Sequence, residues 1–261
     1  MTAASPAFPP GTFTPRSRPA APGRMVRASA AAELRIQLRN GEQLLLALLI
    51  PLAALVGMTT VTVVALPEPR IDAVTPGVLA LALMSSAFTS QAITTAFDRR
   101  YGVLKRLAAA GMSRWVLIAG KCVAVAVVVI GQFVVLGTVA FALGWNPRGN
   151  PLWALLVCVL GVVAFVGLGL LLGGTLRAEA VLGLANLLWF VMVLVGGVIV
   201  PLTQAPEWLQ VVGGLTPAGA LSEALRAVLQ YGQAPGPWSL VVLAAWAALG
   251  WVGTIRLFRW Q

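Results

Sequence analysis

The chain has 261 residues, 59% of them hydrophobic and only 10% charged, with a net charge of +10. A soluble domain of this length carries about 25% charged residues, so a water-soluble core is excluded and an integral membrane protein is the starting class. The 18 Lys and Arg residues flank apolar runs instead of forming a basic domain, which points to membrane orientation and against nucleic acid as a partner. There is no histidine, and Cys122 and Cys158 both lie inside apolar runs. That pattern suggests neither a zinc site nor a disulfide framework, only two free cysteines acting as small hydrophobes.

Residues 1–23 are rich in Pro, Ala, Thr and Ser, with Arg16 and Arg18, and show no apolar periodicity. They read as a disordered cytoplasmic tail. No apolar core follows closely on these basic residues, as a signal peptide would require. Residues 24–43 read as an amphipathic helix on the inner leaflet. Met25, Ala28, Ala32 and Ile36 fall near its apolar face, adjoined by Leu34 and Leu38, with Arg24, Arg27, Arg35 and Arg39 opposite. A plain solvated helix ahead of the membrane is the alternative.

Residues 44–261 read as a six-span membrane domain. Leu44–Leu66 is the first span, with Pro51 placed near its start, where a missing backbone donor costs little. Val74–Phe97, the second, is the most polar, carrying Ser85, Ser86, Thr89, Ser90, Gln91, Thr94 and Thr95. Such side chains bond across helices or line a substrate path. Val116–Leu143 is the third span, with Lys121 near one end, where its ammonium can snorkel to the interface, and Gln132 inside it. Pro151–Leu176 is the fourth; Gly161, Gly167, Gly169, Gly173 and Gly174 allow close helix approach. Ala180–Val200 is the fifth, with Asn186 inside it, and Trp238–Leu257 the sixth. Between them, Pro201–Pro237 holds two short helices, Pro206–Val212 and Ala218–Gln230, that suit an outer re-entrant or interfacial hairpin.

The most charged segment between two spans is Asp98–Trp115, DRRYGVLKRLAAAGMSRW. Six spans put this segment and both termini on one side. Of the 18 Lys and Arg, only Arg70, Arg148 and Arg226 then fall on the other, so both termini are expected in the cytoplasm. The segment reads as a short cytoplasmic helix that receives force from a partner protein, or as a topology signal alone. No Walker A motif, serine elbow, HExxH or paired carboxylate site is present. No acid lies mid-membrane, which argues against an ion-coupled carrier.

Two segments carry a family resemblance. In Phe97–Trp115, the residues Arg99, Gly102, Leu104, Leu107, Ser113 and Arg114 fill a pattern R-x-x-G-T-L-x-x-L followed by a small-residue turn and S-R. Asp98 and Arg100 stand where Glu is frequent, and Val103 where Thr is common. After the fifth span, Gly197, Pro201, Pro206, Trp208, Leu209, Thr216, Pro217, Leu225 and Arg226 fill a second pattern. Together, over about Arg24–Gln261, they resemble ABC-2 type transporter permeases, closest in flavour to the daunorubicin-resistance type of drug or lipid exporter.

The resemblance implies an export permease that is not itself an enzyme. ATP and Mg would be bound by a separate ATPase subunit in two copies, and the permease would pair with a second, same or related, permease in a bacterial plasma membrane. Asp98, Arg99, Arg100, Tyr101, Gly102, Leu104, Lys105, Arg106, Leu107 and Arg114 would form the coupling segment, with Leu104 and Leu107 as apolar anchors. Gln91, Thr94, Thr95 and Asn186 are candidates for the substrate path. Pro201, Pro206, Trp208, Pro217, Glu223 and Arg226 are candidates for an outer gate, although a Glu223–Arg226 pair equally suits local helix support. An ion-coupled carrier and a non-transporting scaffold are the competing readings.

Overall fold

The computed structural model describes residues 20–39, 41–61 and 66–258. The expected tail lies almost wholly outside them, as do part of the expected first span and Arg259. The described residues form helices and connecting turns, with no strand among them. Five helices are long and apolar enough to cross a membrane.

One helical run organises the others. It comprises α3 (Arg70–Met84), a π segment (Ser85–Ser90) and α4 (Gln91–Arg100). Of its most apolar window 94% is buried, against 22% to 44% in the other four long helices. Every residue from Ile71 to Met84 is buried, and of the polar residues that follow, Ser86, Gln91 and Thr95 are buried while Ser85, Thr89, Ser90 and Thr94 are partly open. Around it stand α2 (Gly41–Thr60), α6 (Arg114–Ala142), α7 (Pro151–Thr175), α8 (Ala178–Val195) and α11 (Pro237–Leu257).

The glycines of α7 let neighbours approach on different sides, as expected. Gly169 lies under the Phe88 carbonyl of the π segment. Gly167 meets Trp251 of α11, and a Cβ on Gly250 would stand 2.8 Å from the Gly167 backbone. Two bonds lock this pair, Trp251 Nε1 to the Val163 carbonyl at 3.0 Å and Thr254 Oγ1 to the Gly167 carbonyl at 3.0 Å.

One expectation needs correcting here. Pro51 is not near a helix start, because α2 begins at Gly41 and Pro51 sits inside it. Proline has no N–H to give the carbonyl four residues back. That carbonyl, Ala47 O, instead accepts from Gln132 Nε2 of α6 at 3.0 Å. Helix α1 (Pro22–Arg39) turns Ala30 and Glu33 into the chain and leaves Ala28, Ala32 and Ile36, the side expected to face the leaflet, exposed. Gly120 of α6 gives Ser29 and Ala30 a seat without a side chain in the way, and Lys121 draws Glu33 inward.

The segment after α8 folds as a 3₁₀ turn (Leu202–Gln204), α9 (Glu207–Leu215) and α10 (Pro217–Leu229). Thr216 caps α10 by accepting from Gly219 N at 3.0 Å, with Pro217 at the first helical position. α10 sinks into the core on Leu221, Ala224, Leu225 and Val228. α9 stays outside, with Trp208 and Val211 exposed.

Candidate functional site

α4 stops at Tyr101, and Gly102 turns the chain at φ +67°. A left-handed φ suits glycine, which has no Cβ to clash. Then come α5 (Val103–Ala109) and a second left-handed glycine, Gly111, before α6 starts. The turn is held by Lys121, which is 1% exposed. Its ammonium lies 2.6 Å from Glu33 Oε1 of α1 and 2.8 Å from Asp98 Oδ2 of α4. A lone buried ammonium is costly; two carboxylates offset that cost. Lys121 therefore does not snorkel, and Asp98 points into the chain instead of toward a partner.

Other residues of the expected coupling segment also turn inward. Arg99 Nη1 donates to the carbonyls of Gly173 and Leu176, at 2.9 and 3.0 Å, closing the C-terminal end of α7. Arg100 pairs with Glu179 of α8 and lies over the rings of Phe97 and Tyr101, 5.9 and 6.0 Å from their centroids. Leu104 is fully buried, so it cannot serve as an anchor in a partner's groove, and Leu107 is half-buried. Arg106 donates to the Tyr101 carbonyl at 3.0 Å. The exposed surface of the loop consists of Tyr101, Lys105, Arg106, the alanines up to Ala110, Arg114 and Trp115.

Midway along the central run, the π segment is pinned from two sides. Ser86 Oγ donates to Gln132 Oε1 at 2.8 Å. Trp189 Nε1 of α8 donates to Ser85 Oγ at 3.0 Å, which donates to the Leu81 carbonyl at 2.7 Å. A widened turn of this kind is frequent at functional positions. Beside it runs a groove of about 270 Å³, lined by Ala47 and Ile50 of α2, Ser85, Thr89, Ser90 and Ile93, and Asn186 and Trp189 of α8. Of the expected path residues, only Asn186 reaches this groove; its amide donates to the Leu182 carbonyl at 2.8 Å. Gln91 and Thr95 are fully buried, facing Gly169 and Gly173 of α7, and Thr94 is half-buried.

A family model described as ABC-2 type transporter matches residues 25–229. The chain belongs to the ABC-2 type transporter family. The match runs from α1 through α10 and so takes in the α4–α6 turn, the π segment and the buried helix α10. The chain is a multi-pass membrane protein and the transmembrane component of a transporter, a family that normally pairs with an ABC ATPase. No match to a curated protein was found.

In this ABC-2 chain the segment between α8 and α11 divides into a fixed and an open part. Arg226 is 1% exposed. Its Nη1 donates to Glu223 Oε1 at 2.9 Å and its Nη2 to the Val198 carbonyl at 3.0 Å, beside Gly77 of α3. Burial lowers its pKa and Glu223 opposes the shift; an arginine keeps its charge nonetheless. Glu223 also accepts from Leu202 N at 3.4 Å, so the pair ties the turn after α8 to α10. Pro201 and Pro217 are buried with it, whereas Pro206 and Trp208 are exposed.

Sequence reasoning missed the Lys121 cluster and the π segment. Glu33 and Lys121 stand 88 residues apart, and no local pattern joins them. A hint for the π segment was present in the Ser85–Ser86 pair, where the apolar stretch of the span gives way to its polar half.

Proposed function

We propose that this chain is the permease subunit of an ATP-driven exporter, moving a hydrophobic or amphipathic compound out of the cytoplasm. Two such six-span chains, identical or related, work with two ATPase subunits that bind ATP and Mg. Both termini face the cytoplasm, α2 supplies the first span, and α9 with α10 forms the outer hairpin. Force enters through the exposed face of the α4–α6 turn, chiefly Lys105 and Arg106, and Tyr101 offers an aromatic contact beside them. Because Leu104 is internal, docking relies on the basic rim and not on an apolar anchor. The Asp98–Lys121–Glu33 cluster makes α4, α6 and α1 move as one body, so a push on the turn is delivered to the central run. The π segment yields to that push at the groove, where Ser85, Thr89 and Asn186 face a bound compound.

The observation that supports this reading best is the family match spanning the inner turn and the central run together. The test is co-expression with a candidate ATPase, co-purification, and ATP-dependent uptake of a fluorescent lipid into inverted vesicles. A stable complex with ATP-dependent uptake is expected. A chain that transports without the ATPase, or never binds one, overturns the reading.

A further inference from the structure

The inner end of the α4–α8 seam holds a pocket of about 360 Å³, of whose lining the transport reading uses only Lys105. Arg99 and Arg100 of α4, Lys105 of α5 and Arg177 at the head of α8 line it, with Glu179 as the one acid. Its level follows from the chain itself: the central run ends at Arg100 and α8 begins at Ala178, so the pocket lies where two membrane-length helices meet the aqueous face. Basic pockets between membrane helices at that level suit phosphate head groups.

The pocket and the groove beside the π segment lie on one face of the same two helices. On α4 and the π segment, Thr89, Ile93, Ala96 and Arg100 follow one another at helical spacing along one face, the first two in the groove and the last two in the pocket. On α8, Glu179 of the pocket and Asn186 of the groove share a face in the same way. Thr89 to Arg100 spans eleven residues, about 16 Å of helix. That equals roughly one leaflet, half of a ~30 Å hydrocarbon core. A cationic head site in line with a mostly apolar groove one leaflet away matches an anionic amphiphile lying in the inner leaflet.

We propose that this seam is the entry site for the cargo, and that the cargo class is an amphiphile with a phosphate-bearing head. Arg177 and Lys105 receive the phosphate, with Arg99 and Arg100 adding positive potential behind them, and the apolar chain lies along Ile93 toward Ile50. The inference rests on the transport reading for the word cargo, but the binding it asserts is independent of any ATPase. An acidic surface of a partner protein is the rival occupant; the alignment of the pocket with the apolar groove on one helix face favours a lipid.

The test uses the full chain in phosphatidylcholine nanodiscs with phosphatidic acid or phosphatidylcholine spin-labelled in mid-chain. Wild type should immobilise the phosphatidic acid probe preferentially. Lys105→Ala/Arg177→Ala should lose that preference by roughly fivefold for each side chain removed. Arg35→Ala/Arg39→Ala removes the same charge from exposed positions on α1 and should keep it. Excess inorganic phosphate should not displace the probe; displacement would mean a soluble phosphate site and overturn the proposal. Equal preference in wild type and the Lys105/Arg177 variant would overturn it, as would loss of ATPase binding with lipid preference intact. Probe binding in a chain that never engages an ATPase would sink the exporter reading and leave the pocket standing.

Discussion

Replacing Lys121 by methionine removes the one cation between Glu33 and Asp98. The two carboxylates lie 2.6 and 2.8 Å from it, with side chains only 11% and 21% exposed. Removing one partner of a buried ion pair costs about 3–5 kcal/mol, because the other is left uncompensated. Here two acids are stranded, and α1 loses its only charged tie to α6 among the described residues, so Lys121→Met is expected near the upper end of that range. Glu33→Gln leaves Lys121 with Asp98 and should cost less, about 1.5–3 kcal/mol, the scale of one hydrogen bond to a charged group. The triple variant Lys121→Met/Glu33→Gln/Asp98→Asn strands no charge and should recover most of the loss. Unfolding of the purified chain in mixed micelles, titrated with denaturing detergent and read by far-ultraviolet circular dichroism, gives the three values. A Lys121→Met variant within about 0.5 kcal/mol of wild type, or a triple variant no better than the single, would refute the argument.

Further outcomes follow from the same packing. Gln132→Leu should destabilise by about 1–3 kcal/mol, since it orphans both the Ala47 carbonyl that Pro51 leaves open and the Ser86 hydroxyl; the same detergent titration measures it. Gly250→Ala pushes a methyl to 2.8 Å from the Gly167 backbone and should cost about 1–3 kcal/mol, seen as a lower thermal midpoint. Arg226→Leu should lower stability by about 3–5 kcal/mol, because it strands half-buried Glu223 and frees the Val198 carbonyl, whereas Trp208→Ala, exposed on α9, should change it by less than about 0.5 kcal/mol.

Membrane-length helices were legible because hydropathy depends on composition, and composition needs no tertiary knowledge. The Thr216–Pro217 start of α10 was equally legible, since a cap and a first-turn proline are local signals. Pro51 and Gln132 each stood out in the sequence, but nothing there says that one leaves a carbonyl open and the other fills it. The side of α1 that meets the chain, Ala30 and Glu33, was not legible, because the glycine and lysine of α6 that receive it lie about ninety residues away. Leu104 looked like an anchor because a leucine in a basic loop has to be covered by something; α5 folds back so that the chain itself covers it. Gln91 and Thr95 looked like path residues because polarity in a span suggests a ligand, yet they face the glycines of α7.

The most direct test of force transfer through the α4–α6 turn is the ATPase rate of the reconstituted complex in nanodiscs, wild type against Lys105→Asp/Arg106→Asp. Both side chains are exposed, so the variant keeps its fold. The account predicts a weakened complex or an ATPase rate that no longer responds to the permease. Unchanged binding and unchanged stimulation would contradict it and leave the basic turn as a topology signal alone.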